Sequence, residues 1–171
     1  EQLATADAWD ADPSLVYSWY LWRARMVRSV DPNPGHVAIA AWEEHANVFV
    51  STQNVDDLHE RAGSQKVSHL HGSLYTLRCD ECRHKQELSP DQLAGVAEPG
   101  SQEDMVMVDP LSCSECASGR MRPDIVFFGE FLPQNEWQRT ERALFDSDLV
   151  LVVGTSGVVQ PAASLPFVAS S

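Results

Sequence analysis

Apolar and polar positions alternate along this chain in two rhythms, helical early on and strand-like later. Asp12-Pro13 marks a helix start, because proline is pre-set for the first helical position. Over about 14–30, apolar residues recur at Leu15, Tyr17, Trp19, Tyr20, Trp22, Met26 and Val27, a helical pattern wider than one stripe. Asp31-Pro32-Asn33-Pro34-Gly35 breaks it. A second helix is predicted over about 36–45, with Val37, Ile39, Ala40 and Ala41 on its apolar face. Short continuous apolar runs at 48–50, 125–128 and 149–153 read as buried strands, and a charged helix at about 135–145 precedes the last. The first strand runs into Ser51-Thr52-Gln53-Asn54, the second into Gly129-Glu130, the third into Gly154-Thr155-Ser156-Gly157. This order predicts an α/β fold with a parallel sheet covered on both faces. Ligands of such sheets sit at the carboxyl ends of the strands, so all three polar loops are expected along one edge.

Between these strands, 74–121 has a different character. The four cysteines form two CxxC pairs, Cys79/Cys82 and Cys113/Cys116, separated by the 30 residues of 83–112. Each pair presents two thiolates from one tight turn, and two such turns complete a tetrahedral zinc site. Two disulfides or a redox CxxC are the minority readings of the same spacing. Four thiolates leave no open coordination position, so the one ion expected here, Zn²⁺, is structural. The predicted organisation is a helical segment at 1–46, a zinc-binding insert at 74–121 that folds around metal rather than a large core, and a main domain made of 47–73 and 122–171.

The net charge of −13 argues against nucleic acid as the main partner, because phosphate binding needs clustered Lys and Arg. It is compatible with a basic partner such as a lysine-bearing protein surface. No apolar run approaches the roughly 20 residues of a membrane span. The acidic start EQLATADAWDAD lacks the build of a signal peptide, so a cytoplasmic or mitochondrial-matrix location is expected. Nothing in the sequence bears on oligomeric state.

Candidate chemistry concentrates at 47–72. Gln53, Asn54 and Asp56 offer amides and a carboxylate suited to a carboxamide and sugar hydroxyls, though an Asn/Asp-rich turn looks the same. Gly154-Thr155-Ser156 would let a backbone approach a phosphate or ribose, but alone it reads as a plain turn. An imidazole is the natural general base at neutral pH. His69 and His71 share a face on an extended chain, so spacing leaves both open. Tyr20 and Arg23 lie three apart on the first predicted helix. A phenol beside a guanidinium suits a carboxylate, although an aromatic helix with a surface arginine gives the same pattern.

Together TQNVDDLHERAG, HLHGS, the two CxxC pairs, MRPDIVFFGE and VVGTSGVVQPAASLP resemble the sirtuin family of NAD-dependent protein lysine deacylases, in the family's order over nearly the whole chain. The resemblance implies a Rossmann-like NAD domain with a small zinc and helical domain. It implies that His71, not His69, is the catalytic base; that Gln53, Asn54, Asp56, Gly154, Thr155 and Ser156 hold NAD; and that Val126, Phe128, Gly129 and Glu130 line an edge where an acyl-lysine peptide adds a strand. The implied reaction moves the acyl group to ADP-ribose and releases nicotinamide, with no direct part for zinc. Tyr20-Leu21-Trp22-Arg23 is similar to the YxxR motif of the subgroup that removes succinyl, malonyl or glutaryl groups, which implies weaker deacetylation.

The chain departs from the family pattern at both ends. A Gly-Ala-Gly phosphate loop, a following Pro-x-Phe-Arg segment and the last adenine-contacting strands are not in the sequence. The expectation is a truncated chain whose parallel sheet is incomplete and whose own NAD binding is weak or lost. The alternatives are a zinc-stabilised peptide-binding module without turnover, and a protein mono-ADP-ribosyltransferase, whose product would stay attached to protein.

Overall fold

Helix α2 (Pro13–Arg28) sets the frame of the computed structural model, which describes residues 3–94 and 105–168. The part of the predicted insert at 95–104, with Gly95, Pro99-Gly100 and most of SQEDM, lies outside the described residues, as does 169–171. Asp12 caps α2 by accepting from the Leu15 N–H at 2.9 Å, Pro13 starts it, and Arg25 and Arg28 sit in its last turn where the dipole favours cations. It buries Val16, Tyr17, Tyr20, Leu21 and Ala24, the spacing of one helical face. A short helix missed in the sequence, α1 (Ala6–Ala11), precedes it, capped by Thr5. The second predicted helix is α3 (Pro34–Ala41) with a 3₁₀ turn at Trp42–Glu44.

The parallel sheet has two strands, β1 (Val50–Thr52) and β2 (Val67–His69), joined through α4 (Leu58–Ala62). Gly63 ends α4 in the left-handed conformation (φ +111°) that glycine adopts without steric cost. Arg61 of α4 donates to the Val27 and Val30 carbonyls and so ties this unit to the end of α2. A three-stranded antiparallel sheet follows, β3 (Gly72–Cys79), β4 (Lys85–Glu87) and β5 (Met121–Ile125), in the order β4-β3-β5. Helix α5 (Pro90–Ala94) comes after β4. Helix α6 (Gln134–Phe145) packs on β2 through Ser68, which donates to Glu136 Oε2 at 2.6 Å, and through Arg139, which donates to the Val67 carbonyl. Helix α7 (Leu165–Val168), after a 3₁₀ turn at Ala162–Ser164, closes a small core with Leu70 and the apolar side of α6.

Two of the three predicted parallel strands are corrected. The run at 125–128 is where β5 ends rather than begins, and β5 pairs antiparallel with β3. The run at 149–153 forms no ladder among the described residues, with Leu149 74% and Val153 78% exposed. An apolar run becomes a strand only where neighbours take its backbone groups and cover its faces. The insert also differs from its prediction: Leu74, Tyr75, Leu77, Cys79, Leu88 and Cys113 share one core with Trp9, the α2 face, Met121, Ile125 and Phe127. Metal module and helical segment are therefore one packed body among the described residues. No described helix is long and apolar enough to cross a membrane.

Candidate functional site

The loop after β1 meets the turn between β2 and β3. Leu70 N–H donates to the Thr52 carbonyl (2.9 Å), and Asn54 N–H to Thr52 Oγ1 (3.0 Å), which fixes the path of Gln53 and Asn54. His71 sits in that turn, half-buried, and its Nδ1–H donates to the Gln53 carbonyl at 3.0 Å. A carbonyl can only accept, so the proton resides on Nδ1 and Nε2 keeps its lone pair. Burial holds the His71 pKa below the ordinary histidine value, against the opposing effect of the Gln53 hydrogen bond. The ring is therefore a neutral base at pH 7. Gly72 follows because nothing larger fits: a Cβ there would lie 1.8 Å from the Asp124 carbonyl oxygen, and its φ is +82°.

Nε2 of His71 has no partner among the described residues, and the ring borders a cleft of about 260 Å³. Gln53, Asn54, Val55 and Asp56 line one side, Tyr20, Arg23 and Val27 of α2 another, and Leu74, Ile125 and Val126 the rest. Tyr20 is 3% exposed, stacked on Phe127 and edge-on to Trp19, yet its hydroxyl makes no hydrogen bond among the described residues. Arg23 lies over the Trp19 ring at 4.8 Å and has no carboxylate within 4.0 Å among those residues. Burial raises the Tyr20 pKa despite Arg23 and Arg122, so the phenol keeps its proton as a donor. A neutral donor and an unpaired cation, set in an apolar wall, make a receptor for a small anion.

The glycine loop is also brought in: Gln53 Nε2 donates to Thr155 Oγ1 at 3.3 Å, and Gly157 N–H to the same oxygen at 3.2 Å. Gly154 and Gly157 have φ of +67° and +65° and open space where a Cβ would stand. Ser156 is exposed beside them. Asp56 borders the cleft but spends Oδ1 on the Leu58 N–H at the start of α4.

The peptide-edge residues divide. Val126 lines the cleft and donates its N–H to the His71 carbonyl at 3.0 Å. Phe128 is 55% exposed, with its N–H on the Ala4 carbonyl, and Gly129 turns the chain at φ +88°. Glu130 does not face an open edge. Its carboxylate takes both Nη atoms of Arg122 (2.7 and 3.1 Å) and the Phe127 N–H (2.9 Å), folding 126–130 onto the sheet. Arg122 is buried over the Phe127 ring. Burial works to raise the Glu130 pKa, but Arg122 and the Phe127 N–H outweigh it and hold the carboxyl below its usual range. Arg122→Met leaves this carboxylate with the Phe127 N–H and the more distant Arg78 (3.7 Å) and is expected to cost about 2–4 kcal/mol in urea denaturation at pH 7. The Glu130 contribution is present above the unfolded value of about 4.3 and is lost as pH falls through the lower folded value, so the gap between variant and parent should shrink in acid.

At the far end of β3 the four cysteine sulfurs lie within 4.8 Å of one another, with Cys79–Cys116 at 3.7 Å and Cys82–Cys113 at 3.6 Å. Disulfides need about 2.05 Å, whereas four thiolates each about 2.3 Å from a tetrahedral ion stand about 3.8 Å apart. The cluster fits zinc. N–H groups of Glu81 and Cys82 point at Cys79 Sγ, and that of Gly119 at Cys116 Sγ, as thiolates require. Gly119 leaves the room: its Cβ would lie 2.4 Å from Cys79 Sγ.

Sequence reasoning missed the apolar wall of Val27, Val55, Leu74 and Ile125. Val27 was within reach, since it stands four residues after Arg23 on the same helical face. It also missed Arg122, whose partner Glu130 becomes visible only once β5 turns back.

Fold and site thus define an α/β protein in which a thiolate metal module packs against a histidine cleft at the end of a parallel strand pair. The Sir2 family profile matches residues 1–161, and the chain belongs to that family. An NAD-dependent protein deacylase of Mycolicibacterium paratuberculosis is 48% identical over 170 residues, covering 99% of this chain and 68% of the relative. A solved Sir2 homologue in complex with NAD superposes with a TM-score of 0.83 at 40% identity, covering 99% of this chain and 61% of that one. A Sir2 protein bound to acetylated peptide does so with a TM-score of 0.81 at 31% identity, covering 99% and 67%. The chain therefore spans about two thirds of the length of these relatives.

Proposed function

We propose that this protein is an NAD-dependent protein lysine deacylase that prefers acyl groups ending in a carboxylate. The observation that carries the reading is one cleft shared by an unpaired Tyr20–Arg23 couple and a neutral His71. Kinship to deacylases supports the general reaction, and the donor set on α2 supports the acyl preference.

The donor set also fits the cofactor. Gln53 and Asn54 amides border the cleft, and the Gly154–Thr155–Ser156 loop is open and linked to Gln53. These residues, with Asp56 at the cleft wall, would hold NAD, whose ribose would supply the electrophilic carbon that the acyl-lysine carbonyl oxygen bonds to as nicotinamide leaves. His71 Nε2 takes the proton of a ribose hydroxyl, and the Gln53 carbonyl on Nδ1 stabilises the resulting imidazolium. The acyl-lysine enters beside Val126 and Phe128–Gly129 as an added strand, its apolar stem against Val27, Leu74 and Ile125. Arg23 and Tyr20 receive the distal carboxylate. Glu130 serves this edge indirectly, through its clasp with Arg122. Cys79, Cys82, Cys113 and Cys116 would hold a zinc ion beside the β3–β5 pair, as a structural brace with no open position for chemistry.

Arg23→Met removes the charge and keeps the bulk. It is expected to lower kcat/KM for a succinyl-lysine peptide by about 10- to 100-fold, the worth of a charged hydrogen bond. Activity on the matched acetyl-lysine peptide should stay within about twofold. Equal loss on both peptides in a folded variant, or no loss on succinyl-lysine, would remove the basis for the acidic preference.

A further inference from the structure

His69 is the histidine that the proposed chemistry leaves unused, and its surroundings give it a task. Three successive carbonyls from the last residue of β1 onward accept bonds from three successive residues that begin at the end of β2: Thr52 from the Leu70 N–H (2.9 Å), Gln53 from His71 Nδ1 (3.0 Å) and Asn54 from His69 Nδ1 (3.2 Å). On its other side, His69 Nε2 lies 2.7 Å from Glu60 Oε1 of α4. A carbonyl and a carboxylate both only accept, so both bonds exist together only when both ring nitrogens carry hydrogen. His71, by contrast, has one acceptor and one free nitrogen.

We propose that Glu60 and His69 form a positioning pair that holds the Asn54 carbonyl and so sets the aim of the Gln53 and Asn54 amides beside His71. This rests on the reading of the cleft as the NAD site. The groups facing His69 among the described residues are Glu60 and Asp56, which favour its charge, and His59 of α4, which opposes it and itself touches His36 of α3. Burial works against the charge on His69, but the Glu60 and Asn54 hydrogen bonds outweigh it and raise the pKa above the ordinary histidine value. The pair of hydrogen bonds is then complete below that value and is lost as pH rises through the folded one. His71 sets the acid side of the reaction, and His69 sets how well the loop is ordered on the alkaline side.

The test combines ring-nitrogen NMR of the zinc-loaded chain with NAD kinetics of Glu60→Ala and Glu60→Gln. In the parent, His69 should titrate above an ordinary histidine, and the Gln53 and Asn54 amide signals should move with it. Glu60→Ala should raise KM for NAD about five- to tenfold at pH 7 with kcat within about twofold. Glu60→Gln can donate to a neutral Nε2, so it should recover most of that KM and abolish its alkaline rise. Amides that ignore the His69 titration, or a Glu60→Ala KM equal to the parent's, would overturn the proposal. A parent that consumes no NAD would instead count against the proposed reaction, and the amide response would then decide the pair alone.

Discussion

His71→Ala is expected to lower kcat by about 10²- to 10⁴-fold while leaving the fold and the melting temperature nearly unchanged. The side chain contributes one hydrogen bond, to the Gln53 carbonyl, and the Leu70–Thr52 and Val126–His71 backbone bonds around it survive substitution. What is removed is the only imidazole bordering the cleft whose second nitrogen is unoccupied among the described residues. The pH profile gives an independent check. Activity needs the neutral ring, so kcat/KM should rise with pH on the acid side of its profile. Because burial lowers the His71 pKa, half-maximal activity should fall below pH 6.5, the ordinary histidine value. Stopped activity assays from pH 5 to 8 on parent and variant measure both effects.

Stripping the zinc should have the largest effect on stability. Structural zinc sites in small domains are worth about 10–16 kcal/mol, more than the roughly 5–15 kcal/mol that holds most domains folded. Here Cys79 and Cys113 are buried within the main core, and β3 joins the metal cluster at Cys79 to the cleft at Gly72. Loss of the ion should therefore loosen the β3–β5 pairing and reach the Gly72–Ile125 contact next to His71. Chelation is expected to remove one zinc per chain by atomic absorption and to collapse the near-UV circular dichroism of the aromatic core. Cys79→Ser should lower the melting temperature by about 10 °C or more. A chain that keeps its melting temperature after losing the metal would show that the core stands without it.

The three longer helices, α2, α3 and α6, were legible because their signals are local, while the short α1, α4, α5 and α7 were not. Asp12-Pro13 marks a true start and Tyr20 and Arg23 share a face by spacing alone, whereas the second helix begins at Pro34, inside the stretch read as a break. The metal site was legible because paired CxxC turns carry their own geometry. The strands were less so. β3 and β5 owe their pairing to a close approach at Gly72 that the apolar pattern cannot record, and β2 was hidden in Val67-Ser68-His69, where polar residues are satisfied by α4 and α6. At 149–153 the pattern names a strand, but pattern alone does not supply partners. Glu130 illustrates the same limit within the site, since the Arg122 that takes its carboxylate becomes its neighbour only in the folded chain.

The most direct test of the proposed reaction is NAD-dependent nicotinamide release by the protein on peptides of one sequence carrying succinyl-lysine or acetyl-lysine, with the acylated ADP-ribose product identified by mass. The expected result is strict dependence on NAD and a kcat/KM at least about tenfold higher for succinyl-lysine, reflecting a carboxylate held by Arg23 and Tyr20. Acetyl-lysine turned over as fast or faster, or acyl loss without NAD, would contradict it.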